Sequence, residues 1–532
     1  MRCLESLVHL CAMGMFDNKT IDILTLDTDQ NNGNKGRVES LIELYNKIKS
    51  DDDNNPDGGK PQGNTFFSAK LNLYKFYTTY GDANQKTYRT LAGINSGQNK
   101  EENEDLAKLF FAEKTVQDFD LAHGYRAQTH LGSLLMYHGI IEAARKVRQG
   151  NVSKGGAEDA LKQFLDKLCA NSASRVFVFG SIFGGTGASS IPVIPVALRD
   201  AVNIYSENLS LDFDKIKFGS TLLTDYFTFS SPDNNSKAEE KIIADSNNFA
   251  LNCQAAMQFY EADPTVKHTY KRFYHIGWPL KHRTFDNNEN GGKPVTGGGG
   301  QKNPCHVVEL LCASAAYDFF NLADTDLANT EAKYLFRTVE VKDDGNMALR
   351  GSDFVKDGDL FEGKFGALLS LAHIVLARYE AAWNDEGKAG INQIKDTFAK
   401  KNIPYDNVSQ KQCDEINQYF RDYFGYKFLG DQISKGWAYQ VNDTVPGTMI
   451  FKNEAFPELR KYMDNKSFNF SCGGLFTDES KNWGSVKKPL LGSPTDTGFQ
   501  IFVKNIDKAT EPNSGTVKEK FIAHIYNAIA KH

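Results

Sequence analysis

Short apolar runs that end in turns, each followed by a stretch of helical spacing, recur along the first 330 residues of this chain. "TIDILTLDTD" (20–29) is a short apolar run closing in acids, the pattern of a buried parallel strand. Ahead of it, "MRCLESLVHLCAMGMF" places Leu4, Leu7, Val8 and Cys11 on one face and predicts an amphipathic helix. After it, "GRVESLIELYNKIKS" (36–50) has the helical spacing of Val38, Leu41, Ile42 and Leu44. A polar Pro/Gly-rich loop (51–64) leads to "FFSAKLNLYKFY", which alternates like a strand. Helical patterns then fill about 104–170, broken near "AHGYRAQTHLGS".

"SRVFVFGSIF" (174–183) is the clearest buried strand by pattern, with its helix in "ASSIPVIPVALRDAV". Pro192 and Pro195 restrict where regular hydrogen bonding starts in that helix. Strands follow at 215–229 and 270–279, with a long helix at 236–261 between them. On that helix Asn247, Asn248 and Asn252 read as a solvated polar face. The glycine-rich stretch 287–304 precedes an apolar helix at 305–323 that should be buried on most sides. This alternation predicts an α/β fold, a parallel sheet with helices on both faces. Past about residue 330 the character shifts. One strand near "YLFRTVEV" and a long helix at 366–383 suggest a second, mixed or mainly helical domain over 331–532.

Composition narrows the classes. A net charge of −6 does not suggest the strongly basic face of a nucleic-acid binder. The eight cysteines are scattered without a C-x-x-C pair, which suggests reduced thiols in a cytoplasm. No apolar run reaches the roughly 20 residues that span a bilayer, so no membrane insertion is expected. Open α/β domains usually begin with a strand feeding the first helix. This chain begins inside a helix, so the expectation is a sequence that starts after that strand.

The chemistry concentrates in "FVFGSIFGGTGASSIP" (177–192). Glycines after a strand let a ligand approach the backbone, and the helix that follows presents free N–H groups. Together these suit a phosphate at the carboxyl edge of a sheet. They equally suit a tight turn that binds nothing. A Walker A loop would need a lysine after Gly187, and none is there. A Rossmann fingerprint would need a different glycine order in the first unit.

"GGTGAS" resembles the signature loop of the tubulin/FtsZ superfamily: Gly184, Gly185, Thr186, Gly187 and Ala188 match, while Phe183 and Ser189 depart from its small flanking positions. The order of parts is similar too. Asp27, Thr28 and Asp29 stand where that family has an Asn-Thr-Asp loop over the nucleotide. "GYRAQTHLGS", with Ala127 and Gly132, stands at its earlier phosphate loop, and Thr224 and Asp225 end the strand whose loop is ribose-proximal. Asn303, before the helix at 305, is placed to contact a base or to cap the helix. The resemblance covers roughly residues 1–325. It implies a tubulin/FtsZ-like Rossmannoid domain over 1–330, like the bacterial proteins described as tubulin-like. GTP or GDP would lie on Gly184–Ser189, with Mg²⁺ near Asp27 and Asp29, in a protein able to assemble head to tail.

Two departures qualify it. The first glycine loop is missing. The hydrolytic N-x-D-x-x-[DE] loop is also not found, although Asp324 and Asp326 lie about where it should be. Weak or absent GTP hydrolysis is therefore expected. A scaffold acting on protein partners through its C-terminal domain, and a Rossmann-type NAD or adenylate enzyme, remain open. His275, His282 and Cys305 have no recognised metal spacing, and "GGGG" (297–300) reads as a loop over the base or a linker.

Overall fold

The computed structural model describes residues 1–29, 31–50, 58–77, 100–112, 129–171, 173–210, 212, 215–231, 244–285, 289–290, 293–294, 297–301, 306–341, 347–379, 407–424, 505, 508–510, 512 and 515–530. In chain order the main elements are α1 (Arg2–Ala12), β1 (Thr20–Asp27), α2 (Gly33–Lys49), β2 (Lys70–Tyr77), α3 (Lys100–Phe110), α4 (Thr129–Arg148), α5 (Ala157–Ala170) and β3 (Arg175–Val178). Then come α6 (Gly185–Tyr205), β4 (Lys217–Leu223), α7 (Phe249–Ala262), β5 (Tyr270–Ile276), α8 (Val307–Asn321), β6 (Lys333–Arg337), α9 (Gly358–Tyr379), α10 (Asn407–Tyr419) and α11 (Val517–Ala530). Ala127 and Asn303 lie outside the described residues.

The fold is α/β, with parallel strands flanked by helices. Four strands run in the order β6-β5-β4-β3, every pair parallel. β1 and β2 form a separate parallel pair, Thr20 opposite Lys70 through Asp27 opposite Tyr77. β6 lies beyond residue 330 yet pairs with β5, so the sheet does not end at the boundary suggested by composition. The C-terminal helices pack on the same body. Gln412 donates to the carbonyl of Ile48 at 2.8 Å, and the Tyr419 hydroxyl meets His9 Nδ1 at 2.7 Å.

Two elements differ from their pattern for physical reasons. α1 has the expected apolar face, but its polar residues are covered as well: Arg2, Glu5, Ser6 and His9 are all buried. Besides each other, their partners come from far along the chain. Glu5 takes Arg2 at 2.5 Å and Arg37 at 3.1 Å, and Arg2 faces Glu309 of α8 at 3.7 Å. β3, the strand with the strongest apolar run, is only half-buried at all four residues.

α6 starts at Gly185, so Pro192 and Pro195 both sit inside the helix, past the point where they were expected to delay it. Each proline removes the N–H that would bond the carbonyl four residues back. Those carbonyls belong to Ala188 and Ile191. The Tyr260 hydroxyl of α7 donates to Ala188 O at 2.8 Å, and the Tyr270 hydroxyl of β5 donates to Ile191 O at 2.6 Å. Both tyrosines are fully buried. Two side chains thus fill the gaps that two prolines leave.

Candidate functional site

The carboxyl ends of β1 and β3 open into one cavity of about 750 Å³. Its lining includes Asp27 at the end of β1, Asn32 and Asn34 at the start of α2, Gly184–Gly187 at the start of α6, and Gln301. Two strand-to-helix turns therefore share one mouth.

The turn after β3 is bare. Gly184 occupies the N-cap position of α6 with extended backbone and makes no side-chain cap, so no side chain from the cap covers the first amides of the helix. Gly184, Gly185 and Gly187 all lack positive φ, so the turn does not need glycine for its dihedral angles. Gly187 is required by packing. A Cβ there would stand 2.5 Å from the carbonyl oxygen of Ser181 and closer still to its nitrogen. At Gly184 the nearest atom to such a carbon is Ser181 Oγ at 3.3 Å. Thr186 lines the cavity. Ala188 and Ser189 are buried in the helix. Ser189 donates its hydroxyl to Thr129 O at 2.8 Å and to Gly185 O at 2.5 Å. Ser133 Oγ returns a bond to Ser189 O at 3.0 Å, and Gly132 is buried at this seam in the first turn of α4.

The turn after β1 is built from side chains. Asp27 accepts from Asp29 N at 3.1 Å, and burial pushes the Asp27 carboxyl up to about 6, against the pull of that backbone bond. The amino group of Met1 is close enough to pull it down as well. Asp29 accepts from Gly298 N at 2.6 Å. Asn32 caps α2 by accepting from Asn34 N and Lys35 N, and it donates to Gln301 at 2.5 Å. The segment 298–301, read from sequence as a loop or linker, is thus fastened to the head of α2. Thr28 is buried, and its hydroxyl meets no hydrogen-bond partner among the described residues.

Thr224 and Asp225 do not line the cavity. Thr224 donates its hydroxyl to Ile276 O at 3.1 Å, while Asp225 is ion-paired with Arg283 and accepts from Cys253 at 3.8 Å. Asp324 pairs with Arg175 at 2.7 Å, at the opposite end of β3 from the glycine turn. Asn252, expected on a solvated face, donates to the carbonyl of Phe183 at 3.2 Å and braces the turn.

Sequence reasoning missed Asn32, Gln301 and Arg2. Asn32 was legible, since an asparagine just before a helical run is a favoured cap. Arg2 was not, because burial of its charge depends on Glu309. Beneath the cavity Glu309 accepts from the Tyr226 hydroxyl at 2.7 Å and from His306 N at 3.2 Å. Its carboxyl is pushed up by burial and pulled down by Arg2.

Among the described residues there is no group of three or more His, Cys, Asp or Glu placed to hold a metal ion, and no helix long and apolar enough to cross a membrane. The six described cysteines form no disulfide. No protein-family model matches the sequence, and no curated protein and no solved structure matches the chain.

Proposed function

We propose that this chain is a tubulin/FtsZ-like guanine-nucleotide-binding protein, with GTP or GDP phosphates lying on the N-terminus of α6. The observation that carries the reading is the bare turn. Gly184 leaves the first amides of α6 without a side-chain cap, and they face a cavity that Asp27 also lines. Free amides and the positive end of the helix suit a phosphate. Asp27, ionised above about pH 6, would hold the Mg²⁺ that accompanies it.

The position of Asp324 fits head-to-tail assembly. It lies at the amino edge of the sheet, away from the glycine turn, so it would reach a nucleotide only on a neighbouring copy. Its pairing with Arg175 fits slow or absent hydrolysis. One observation favours a dinucleotide as the competitor. Gly187 makes a close helix-to-strand contact, the job of the third glycine in the Rossmann fingerprint.

Calorimetric titration with GTP, GDP, ATP and NAD decides between them. GTP and GDP are expected to bind in preference to the other two. Tighter binding of NAD overturns the reading, and so does no binding of any of the four.

A further inference from the structure

α1 and α8 pack along a seam that carries sulfur as well as charge. Arg2 of α1 meets Glu309 of α8 at 3.7 Å. Cys3 is the next residue along α1, and Cys312 stands one turn beyond Glu309 on α8, where positions i and i+3 share a face. The two thiols hydrogen-bond to each other across this seam. Further along α8, Tyr317 meets the Phe16 ring at 5.2 Å between centroids, so the seam is held on both sides of the sulfurs. Three other described cysteines have different neighbours. Cys253 donates to Asp225 at 3.8 Å, Cys11 lies near Tyr45 and Tyr419, and Cys169 lies near Asp166.

The two sulfurs differ in access. Cys3 keeps 9% of its surface exposed, whereas Cys312 keeps none. Of the six described cysteines, Cys3 alone lines the cavity. Burial pushes the Cys312 thiol well up. Its contact with Cys3 and the charge of Glu309 push the same way, against the pull of Arg337. A protonated thiol with no exposed surface does not meet an oxidant first. It is placed instead to attack a neighbour that has already been oxidised.

We propose that Cys3 and Cys312 are a redox pair: a small peroxide entering the cavity oxidises Cys3, and Cys312 then closes a disulfide that staples α1 to α8. With hydrogen peroxide, the Cys3 sulfur gives up its proton and attacks one peroxide oxygen. An S–O bond forms and the O–O bond breaks. The sulfur loses two electrons and becomes a sulfenic acid, and the departing hydroxide takes the thiol proton and leaves as water. The Cys312 sulfur then attacks the Cys3 sulfur. The S–S bond forms, the S–O bond breaks, and the second hydroxide leaves as water with the Cys312 proton. Contact between the sulfurs makes this step intramolecular, which offsets the small thiolate fraction of Cys312. A dithiol reverses the reaction by exchange, becoming a disulfide itself.

The staple would act on the cavity wall. α1 also presents Leu4 and Leu7 to that space, and tying Cys3 to α8 fixes their helix in place. The glycine turn takes no part, so this inference does not depend on any nucleotide.

Peptide mapping by mass spectrometry, after brief exposure of the folded chain to hydrogen peroxide, tests it. The expected product joins the Cys3 peptide to the Cys312 peptide within one molecule, and dithiothreitol restores both thiols. The oxidised chain should melt at least about 3 °C higher, because the closed loop restricts the unfolded state. In Cys312→Ala, Cys3 should stop at the sulfenic acid, which dimedone traps. In Cys3→Ser, a change at the more accessible sulfur, oxidation of Cys312 should slow at least about tenfold. The proposal fails if the wild-type chain gives no link between Cys3 and Cys312, whether Cys3 stays reduced or passes on to the sulfinic acid. It fails equally if the link joins two molecules, if the oxidised chain melts no higher, or if Cys312 reacts as fast without Cys3.

Discussion

The two turns at the mouth of the cavity start helices in opposite ways. After β1 the head of α2 is closed by side chains. Asn32 accepts from two amides, and Asp29 and Asn32 tie in Gly298 and Gln301. After β3 the head of α6 has only glycine at its cap, and its fixed contacts lie deeper, at Gly187 and Ser189. A helix that satisfies its own first amides has none to offer a ligand, whereas a bare one holds them ready. The difference leaves the uncapped amides at the head of α6 and gives the β1 turn the work of shaping the opposite wall.

The largest test of this contrast separates two glycines of one turn. Gly187→Ala should cost about 3 kcal/mol or more, because its Cβ meets the Ser181 backbone and cannot be relieved by a rotamer. Gly184→Ala, with only Ser181 Oγ nearby, should stay within about 1 kcal/mol while weakening phosphate binding. Urea unfolding of both variants reads this. Equal costs would show that the seam at Gly187 is not where the turn is fixed.

A smaller effect belongs to Asp27. Its folded carboxyl titrates at about 6, above the roughly 3.9 of an unfolded aspartate, so the folded state holds the proton more tightly. Stability should therefore fall as pH rises from about 4 through 6, by about 3 kcal/mol in all. Asp27→Asn should flatten that slope in melts taken across the range. An unchanged slope would place the titration elsewhere.

The smallest is the cap. Asn32→Ala should cost about 1 kcal/mol and also release Gln301. A loss below about 0.3 kcal/mol in the same urea series would mean that the two turns are not as different as their hydrogen bonds suggest.

How much of this was legible depended on where each residue's partner lies. β1, α2 and the all-round burial of α8 follow from local periodicity. The glycine turn could be read as a strand-to-helix connection with possible anion chemistry. The reason for Gly187 could not, because Ser181 becomes its neighbour only through the turn. Arg2, Glu5 and His9 lie off the apolar face that the spacing of α1 shows, and their burial rests on partners at 37, 309 and 419. Thr224 and Asp225 were placed correctly at a strand end, but the groups that engage them, Ile276 and Arg283, come from the next unit. β3 shows the reverse failure. Its apolar run described an interior strand, while all four of its residues are only half-buried.

The tyrosines that answer the two prolines of α6 also set an order of events. By itself the segment 185–205 lacks two ladder donors, and a helix so interrupted is a poor one in isolation. Its missing bonds come from residues 72 and 79 positions downstream of the carbonyls they serve. A ribosome-bound chain that has not yet released β5 therefore carries an unfinished α6 and a loose glycine turn. In the mature protein, any fluctuation that lifts Tyr260 away reopens the helix within one turn of Gly187. The timing and the rigidity of the glycine turn are governed from α7 and β5.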